Sequence, residues 1–350
     1  MTDSLIETEN NFTNTIKDWY NRHKRDLPWR KKKDPYRVWL SEIILQQTRV
    51  AQGLPYYLNF IEKYPTVFDL ASAPEQDVMK TWEGLGYYSR ARNLLAAAKT
   101  VVNTHNGKFP DNYKDLLTLR GVGPYTAAAV ASICFDEAVP VIDGNVFRVI
   151  SRVFGVDHDI ALASSRKVFE KILNELIPQD NPGDFNQGLM EMGALVCTPG
   201  MPDCPSCELR EFCFAFKHGS QTSLPVKKKK TRVRQRTFHY YVWEHQGKLA
   251  MKKRNSGDVW EGLYDFHLEE DDDLIANEPH EHYNTTGQKT LEHVLSHQKI
   301  KATFYHQKVD DPAFFNEILE KYQLSAFSPD EVLNLPKPKL IVNYLNRVNF

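Results

Sequence analysis

The chain has 350 residues, more than one compact core usually holds, and its 41% hydrophobic and 25% charged composition is that of a globular protein, so about two or three domains are expected. A net charge of −1 excludes a uniformly basic surface, yet residues 221–240 carry seven basic side chains and no acidic one. No apolar run reaches the length of a membrane helix, and the N-terminal MTDSLIETENNFTNT has neither the cationic start nor the apolar core of a signal peptide, so no membrane association is expected.

From about residue 12 to 217 the pattern is mostly helical, with apolar residues at three- and four-residue steps through Val38–Val50, Leu94–Val102 and Val168–Leu176. Turn pairs such as Asp34-Pro35, Tyr64-Pro65, Asn106-Gly107 and Asn181-Pro182 separate these segments. A first basic block, Arg22–Lys33, precedes the apolar stretch VWLSEIIL, in which Glu42 is the lone acid. An acid there reads as a helix-edge residue or as a buried carboxyl. Farther along, Leu119–Ala127 (LRGVGPYTA) lies between apolar segments. Gly121 and Gly123 permit a tight turn, Pro124 suits a first helical position, and the uncapped N–H groups that result favour a phosphate. In VPVIDGNVFRVIS, Asp143 before Gly144 and Asn145 reads as a turn or helix cap.

Four of the five cysteines fall within 17 residues, as Cys197-x6-Cys204-x2-Cys207-x5-Cys213, while Cys134 stands apart. Such a cluster suits a metal site, either zinc or iron–sulfur, better than a disulfide framework. Residues 218–236 lose periodicity and read as a basic linker. After it, alternation at Phe238–Glu244, Lys248–Lys252 and Ile300–Tyr305 predicts strands of a smaller mixed domain, with the EEDDD run at 269–273 as an exposed loop.

Five blocks in one order carry a family resemblance: Trp39–Val50, Trp82–Leu94, the LRGVGPYTA hairpin, Val139–Ser151 and the cysteine loop. Together they resemble the MutY family of adenine DNA glycosylases, relatives of endonuclease III. The resemblance implies a mainly α helix-hairpin-helix catalytic region at 1–217, a linker at 218–236 and a smaller α+β Nudix-like domain at 237–350. It implies a 4Fe–4S cluster on Cys197, Cys204, Cys207 and Cys213. The expected reaction is hydrolysis of the glycosidic bond of adenine opposite 8-oxoguanine or guanine in double-stranded DNA. The expected protein is a monomer, cytoplasmic and nucleoid-associated if the source is bacterial.

That reaction needs one carboxyl to protonate the base and another to stabilise an oxocarbenium-like sugar. By the resemblance Glu42 is the acid toward adenine N7. Asp143 faces C1′, as a charge or as a covalent nucleophile, and Asn145 holds Asp143 or the water. Tyr125 stands where endonuclease III relatives carry a Schiff-base Lys, so a monofunctional enzyme is expected, with Tyr125 against the sugar and Asp143. Trp29, Arg30 and Gln187 would line the adenine pocket. Gln47, Thr48, Leu85 and Tyr87 would fill or wedge the opened stack, and Gly121 and Gly123 would hold phosphate. Val259–Phe266 resembles the entry of Nudix folds, but residues 267–286 contain no Gly and no RExxEE string, which excludes a working pyrophosphatase. Ser296 and His297 align with the family's 8-oxoguanine loop, with Leu295 in place of its Phe. The competing readings are a bifunctional endonuclease III-like glycosylase/lyase, which Tyr125 disfavours, and a non-enzymatic iron–sulfur DNA-binding protein, which Glu42 and Asp143 together disfavour.

Overall fold

The computed structural model describes residues 2–228, 233–270, 285–348 and 350. They form two compact units, one of residues 1–72 and 96–229, the other of residues 73–95 and 230–350. Among the described residues no helix is long and apolar enough to cross a membrane.

The first unit is helical. It contains α1 (Thr2–His23), α2 (Pro35–Leu45), α3 (Val50–Lys63), α4 (Val67–Ser72), α7 (Tyr113–Leu116), α8 (Pro124–Phe135), α9 (Gly144–Phe154), α10 (Ala163–Leu176), α11 (Pro182–Leu195) and α12 (Phe214–Lys217). α6 (Ser89–His105) begins in the second unit and ends in the first, and α5 (Glu75–Thr81) belongs to the second. Local chemistry sets the starts that matter. Asp34 caps α2, its carboxylate accepting from the N–H of Tyr36 and Arg37, with Pro35 at the first helical position. Asp143 caps α9 in the same way. Phe12, Ile16 and Tyr20 of α1 pack with Val146, Val149 and Ile150 of α9 and with Phe185, Leu189 and Met192 of α11 in one core. α11 approaches α9 closely because residue 193 is glycine: a Cβ there would lie 2.6 Å from that of Asn145.

The described residues of the second unit form a seven-stranded mixed sheet with helices. Its strands are β1 (Arg234–His245), β2 (Lys248–Lys253), β3 (Tyr264–Asp265), β4 (His267–Glu270), β5 (Thr285–Val294), β6 (Gln298–Lys308) and β7 (Ser325–Phe327). The order is β3-β2-β1-β6-β5, with β4 on β1 and β7 on β2; among the described residues β1 and β6 run parallel and the other pairs antiparallel. α15 (Lys339–Val348) stacks Tyr344 on Phe304, while α13 (Pro312–Tyr322) stacks Tyr322 on Trp243; α14 (Pro329–Asn334) lies between them in sequence.

Several sequence expectations shift. α1 starts at Thr2 rather than near residue 12. β1 starts at Arg234, inside the span read as a linker, because Arg236 points inward and is paired with Asp258 and Glu270. Lys229–Arg232 of that span lie outside the described residues. In the EEDDD run, Glu269 and Glu270 are strand residues of β4, not an exposed loop, and Asp271–Asp273 lie outside the described residues. Most of 267–286 lies outside them as well. The two-way cut also differs from boundaries at 217 and 237, since residues 73–95 group with the sheet. The backbone N–H of Lys337 donates to the Glu83 carboxylate and the Tyr88 hydroxyl to the Lys337 carbonyl, which anchors that segment.

Candidate active site

A cleft of about 700 Å³ in the helical unit is lined by Trp29, Arg30, Glu42, Thr48, Tyr125, Asp143, Asn145 and Gln187, which the sequence had singled out separately. Arg25, Arg148, Met190 and Glu191 also line it.

Glu42 sits in the middle of α2, whose other faces bury Trp39, Leu40 and Ile43, so its carboxyl enters the interior with only 8% exposure. The Tyr125 hydroxyl donates to its Oε2 at 2.6 Å, with Met190 Sδ 3.4 Å from the same oxygen of Tyr125. The Tyr125 hydroxyl thus bonds Glu42 directly, with Asp143 near enough to act on it through its charge; Tyr125 is the second residue of α8, and that start aims the ring across at α2. Burial pushes the Glu42 carboxyl above the usual carboxylate range; the Tyr125 hydrogen bond opposes this, nearby Asp143 adds to it and Arg30 opposes it.

Asp143 is half-buried at the start of α9 and is held differently. Its Oδ1 accepts the backbone N–H of Asn145 at 2.9 Å and of Val146 at 2.8 Å, and its Oδ2 accepts Asn145 Nδ2 at 2.7 Å. Burial raises this carboxyl too, but three N–H donors and the Arg148 charge pull against it, a setting far better suited to an ionised group than the single phenol at Glu42. The cap reading of Asp143 is the geometry observed.

Two charged residues of the wall escaped the sequence reading. Arg148 donates to Asn145 Oδ1 at 2.8 Å, to the Gly193 carbonyl at 2.7 Å and, through Nε, to the Cys197 carbonyl at 2.6 Å. It thereby fixes Asn145 and joins α9 to α11 and the cysteine loop. Glu191 is buried beneath Arg25 and Arg30. The available signals were an Arg three residues after Asn145 in an apolar helix, and an acid four residues after Gln187 in another.

The hairpin has the expected shape. Gly121 adopts φ +79°, Gly123 precedes α8 without a side-chain cap, and nothing crowds its Cα. Gln47, exposed just after α2, takes the left-handed φ of +57°.

Cys197, Cys204, Cys207 and Cys213 line one pocket floored by Val149, Val196 and Leu209. Arg152 Nη1 lies 3.4 Å from the Cys197 sulfur. Burial pushes the Cys207 thiol up to about 12, opposed by the N–H of Leu209; Cys213 is raised likewise, opposed by the N–H groups of Phe216 and Ala215. Among the described residues no three metal-binding side chains converge as they would around a single ion.

In the second unit, Tyr87 and Ser296 meet over a cavity of about 440 Å³ also lined by Leu85, Arg92, Trp260, Leu295 and His297. The Tyr87 hydroxyl donates to Ser296 Oγ at 2.5 Å, and Ser296 Oγ lies 3.1 Å from His297 Nδ1. Tyr87 is held at φ +48° and is 42% exposed, so its ring is presented. Leu85 is only 7% exposed and forms part of the cavity wall behind Tyr87.

Residues 40–179 match the HhH-GPD superfamily base excision DNA repair protein family, and residues 239–347 match the NUDIX domain family. An adenine DNA glycosylase of Buchnera aphidicola subsp. Schizaphis graminum is 38% identical over 259 residues, 73% of this chain and 74% of its own. Among solved structures, a thermostable thymine-DNA glycosylase is 32% identical, with a TM-score of 0.56 over 61% of this chain and 98% of its own. Endonuclease III in a non-covalent complex with DNA is 23% identical, with a TM-score of 0.52 over 61% and 98%, a likeness of fold.

Proposed function

The chain belongs to the adenine DNA glycosylase family of base excision repair, enzymes that hydrolyse an N-glycosidic bond in DNA, and from that premise we propose how its cleft does so and on which mispair. Glu42 is the general acid. Its proton passes to adenine N7, the electron pair of the N9–C1′ bond moves into the purine, and adenine leaves as a neutral base. Asp143, ionised, stabilises the oxocarbenium character at C1′ until water adds there and gives its proton to the Glu42 carboxylate, which restores the acid. Asn145 holds Asp143, and Tyr125 holds Glu42. Trp29, Arg30 and Gln187 surround the extruded base. Tyr125 offers no amine for an imine, so the strand remains intact after excision. A positioned acid of this kind supplies roughly 10²- to 10⁴-fold.

The observation that carries the reading is the unequal support of two carboxyls in one cleft: one phenol for Glu42, three N–H donors for Asp143. This supports one neutral and one charged group at the same pH.

The preferred mispair is adenine opposite 8-oxoguanine, with adenine opposite guanine a poorer substrate. Ser296 and His297 supply polar contacts to the altered guanine, and Tyr87 offers a ring for stacking beside it, with Leu85 behind. Gln47 and Thr48 enter the opened stack, and Gly121 and Gly123 approach a phosphate. The four cysteines would hold a 4Fe–4S cluster, which would tie the loop after α11 to itself at four points. Four thiols around one apolar pocket, N–H groups toward the sulfurs and the adjacent Arg152 cation suit such a group. The enzyme acts as a monomer.

Incubation with duplexes carrying adenine opposite 8-oxoguanine, guanine or thymine tests this. Strand breaks should appear only after alkali, with 8-oxoguanine preferred over guanine and thymine inert. Breaks without alkali, or equal cleavage opposite thymine, would refute it.

A further inference from the structure

Glu191 has no part in the reaction above, although its side chain, 1% exposed, lies in the wall of the same cleft. Its Oε1 accepts the backbone N–H of Arg25 at 3.1 Å, Arg25 Nε at 2.7 Å and Arg30 Nη1 at 3.1 Å. Its Oε2 accepts Arg25 Nη2 at 2.7 Å and Arg30 Nη2 at 2.9 Å. One carboxylate on α11 therefore clamps two guanidinium groups from the turn between α1 and α2. Apart from this clamp, Arg30 donates only to the Arg25 carbonyl at 3.3 Å, and its buried Nε–H has no partner among the described residues. Both arginines line the cleft that holds Glu42.

We propose that Glu191 is a positioning residue for excision: it fixes both guanidinium groups in the cleft wall and cancels their charge beside Glu42, where a proton must be held. The inference rests on the reading of Glu42 as the acid.

A cation near a carboxyl favours its ionised form, which is useless for protonating a base. The groups acting on Glu42 are Tyr125 and Cys134 from α8, Asp143 at the start of α9 and Arg30 from the turn before α2. Burial and Asp143 hold the proton on; Tyr125 and Arg30 work to remove it. Those acting around Glu191 are Tyr20 from α1, Arg25 and Arg30. Burial alone would raise Glu191, yet the hydrogen bonds from Arg25 and Arg30 hold it down at about 2, so it is an anion throughout any working pH range. With that anion gone, two cations would face the cleft uncompensated, and Glu42 would lose its proton at lower pH.

The test is the pH profile of single-turnover adenine release by the full chain. The wild type should lose activity on the alkaline side as Glu42 ionises. In Glu191→Gln that limb should move down by about one pH unit, the size of effect a neighbouring charge has, so that rates above it fall about tenfold. Glu191→Asp should keep the wild-type limb even if the rate drops, and Glu191→Gln with Arg30→Met should return the limb upward. Arg30→Met alone should move it upward, which preserves the test if Glu191→Gln does not fold. An unmoved limb in folded Glu191→Gln, an equal shift in Glu191→Asp, or an unmoved or lowered limb in Arg30→Met overturns the inference. A wild-type profile without the limb, or a limb that survives in Glu42→Gln, removes Glu42 as the acid and the inference with it. A limb lost in Glu42→Gln but unmoved in Glu191→Gln overturns the inference alone.

Discussion

Replacing Tyr125 by Phe removes one oxygen and little volume, and isolates what the phenol does for Glu42. The hydroxyl donates at 2.6 Å to a carboxylate that is almost out of water. A donor favours the ionised acceptor, so this bond works against the burial that raises the Glu42 carboxyl. A hydrogen bond to a charged group contributes about 1.5–3 kcal/mol, and one pH unit corresponds to about 1.4 kcal/mol, so the expected shift is about one unit or somewhat more. The sign is upward: without the phenol Glu42 keeps its proton to higher pH, and the alkaline limb of single-turnover adenine release moves up. Below the limb the rate should fall modestly, because Glu42 loses an anchor. Stability follows the same linkage. Glu42 has a folded-state pKa above its unfolded value, so its contribution is complete below the unfolded pKa and is lost as pH rises through the folded one. In Tyr125→Phe that loss starts at the same pH but continues to higher pH and is larger once Glu42 is ionised, so the Tm deficit against wild type should widen under alkaline conditions. A limb that stays in place or moves down would refute the coupling between Tyr125 and Glu42.

Arg148→Gln strands the Gly193 and Cys197 carbonyls and releases Asn145; at about 1–3 kcal/mol for each stranded group, thermal unfolding should show a loss of about 3 kcal/mol. Its excision rate should fall at every pH without moving the limb, and a wild-type Tm would contradict the network. Cys204→Ser should lose iron by metal analysis together with the broad visible absorption of the cluster, whereas stoichiometric zinc in the wild type would replace the iron–sulfur assignment. Ser296→Ala with His297→Ala should reduce the preference for adenine opposite 8-oxoguanine several-fold, at about 0.5–1.5 kcal/mol per lost hydrogen bond, and leave adenine opposite guanine unaffected. An unchanged ratio of single-turnover rates would move recognition elsewhere. Point substitutions are the proper probe here, since truncation after residue 217 would strip Glu83 and Tyr88 of their anchor on Lys337.

Much of the helical unit was legible because its cues are local. Asp143 announces a cap within three residues, Gly121 and Gly123 announce a turn, and the cysteines announce themselves by spacing. The lone acid in VWLSEIIL pointed to Glu42, though only the fold shows it buried. What stayed hidden depends on partners far away in the chain. Glu191 meets Arg25 across 166 residues and looks from the sequence like any helix acid. Lys337 meets Glu83 across 254 residues, and so the grouping of residues 73–95 with the sheet has no local sign. The start of β1 was masked by arginine: Arg236 takes an inward strand position that normally belongs to an apolar residue, and is tolerated there because Asp258 and Glu270 pair with it.

The central claim is that Glu42 delivers the proton on which adenine departure depends. The most direct measurement is the single-turnover release of free adenine from a duplex with adenine opposite 8-oxoguanine, comparing wild type with Glu42→Gln at matched DNA occupancy. An amide keeps the shape of the side chain and lacks the acidic proton, so binding should persist while release falls by at least about 10²-fold. Release by Glu42→Gln within a few-fold of wild type would contradict the account.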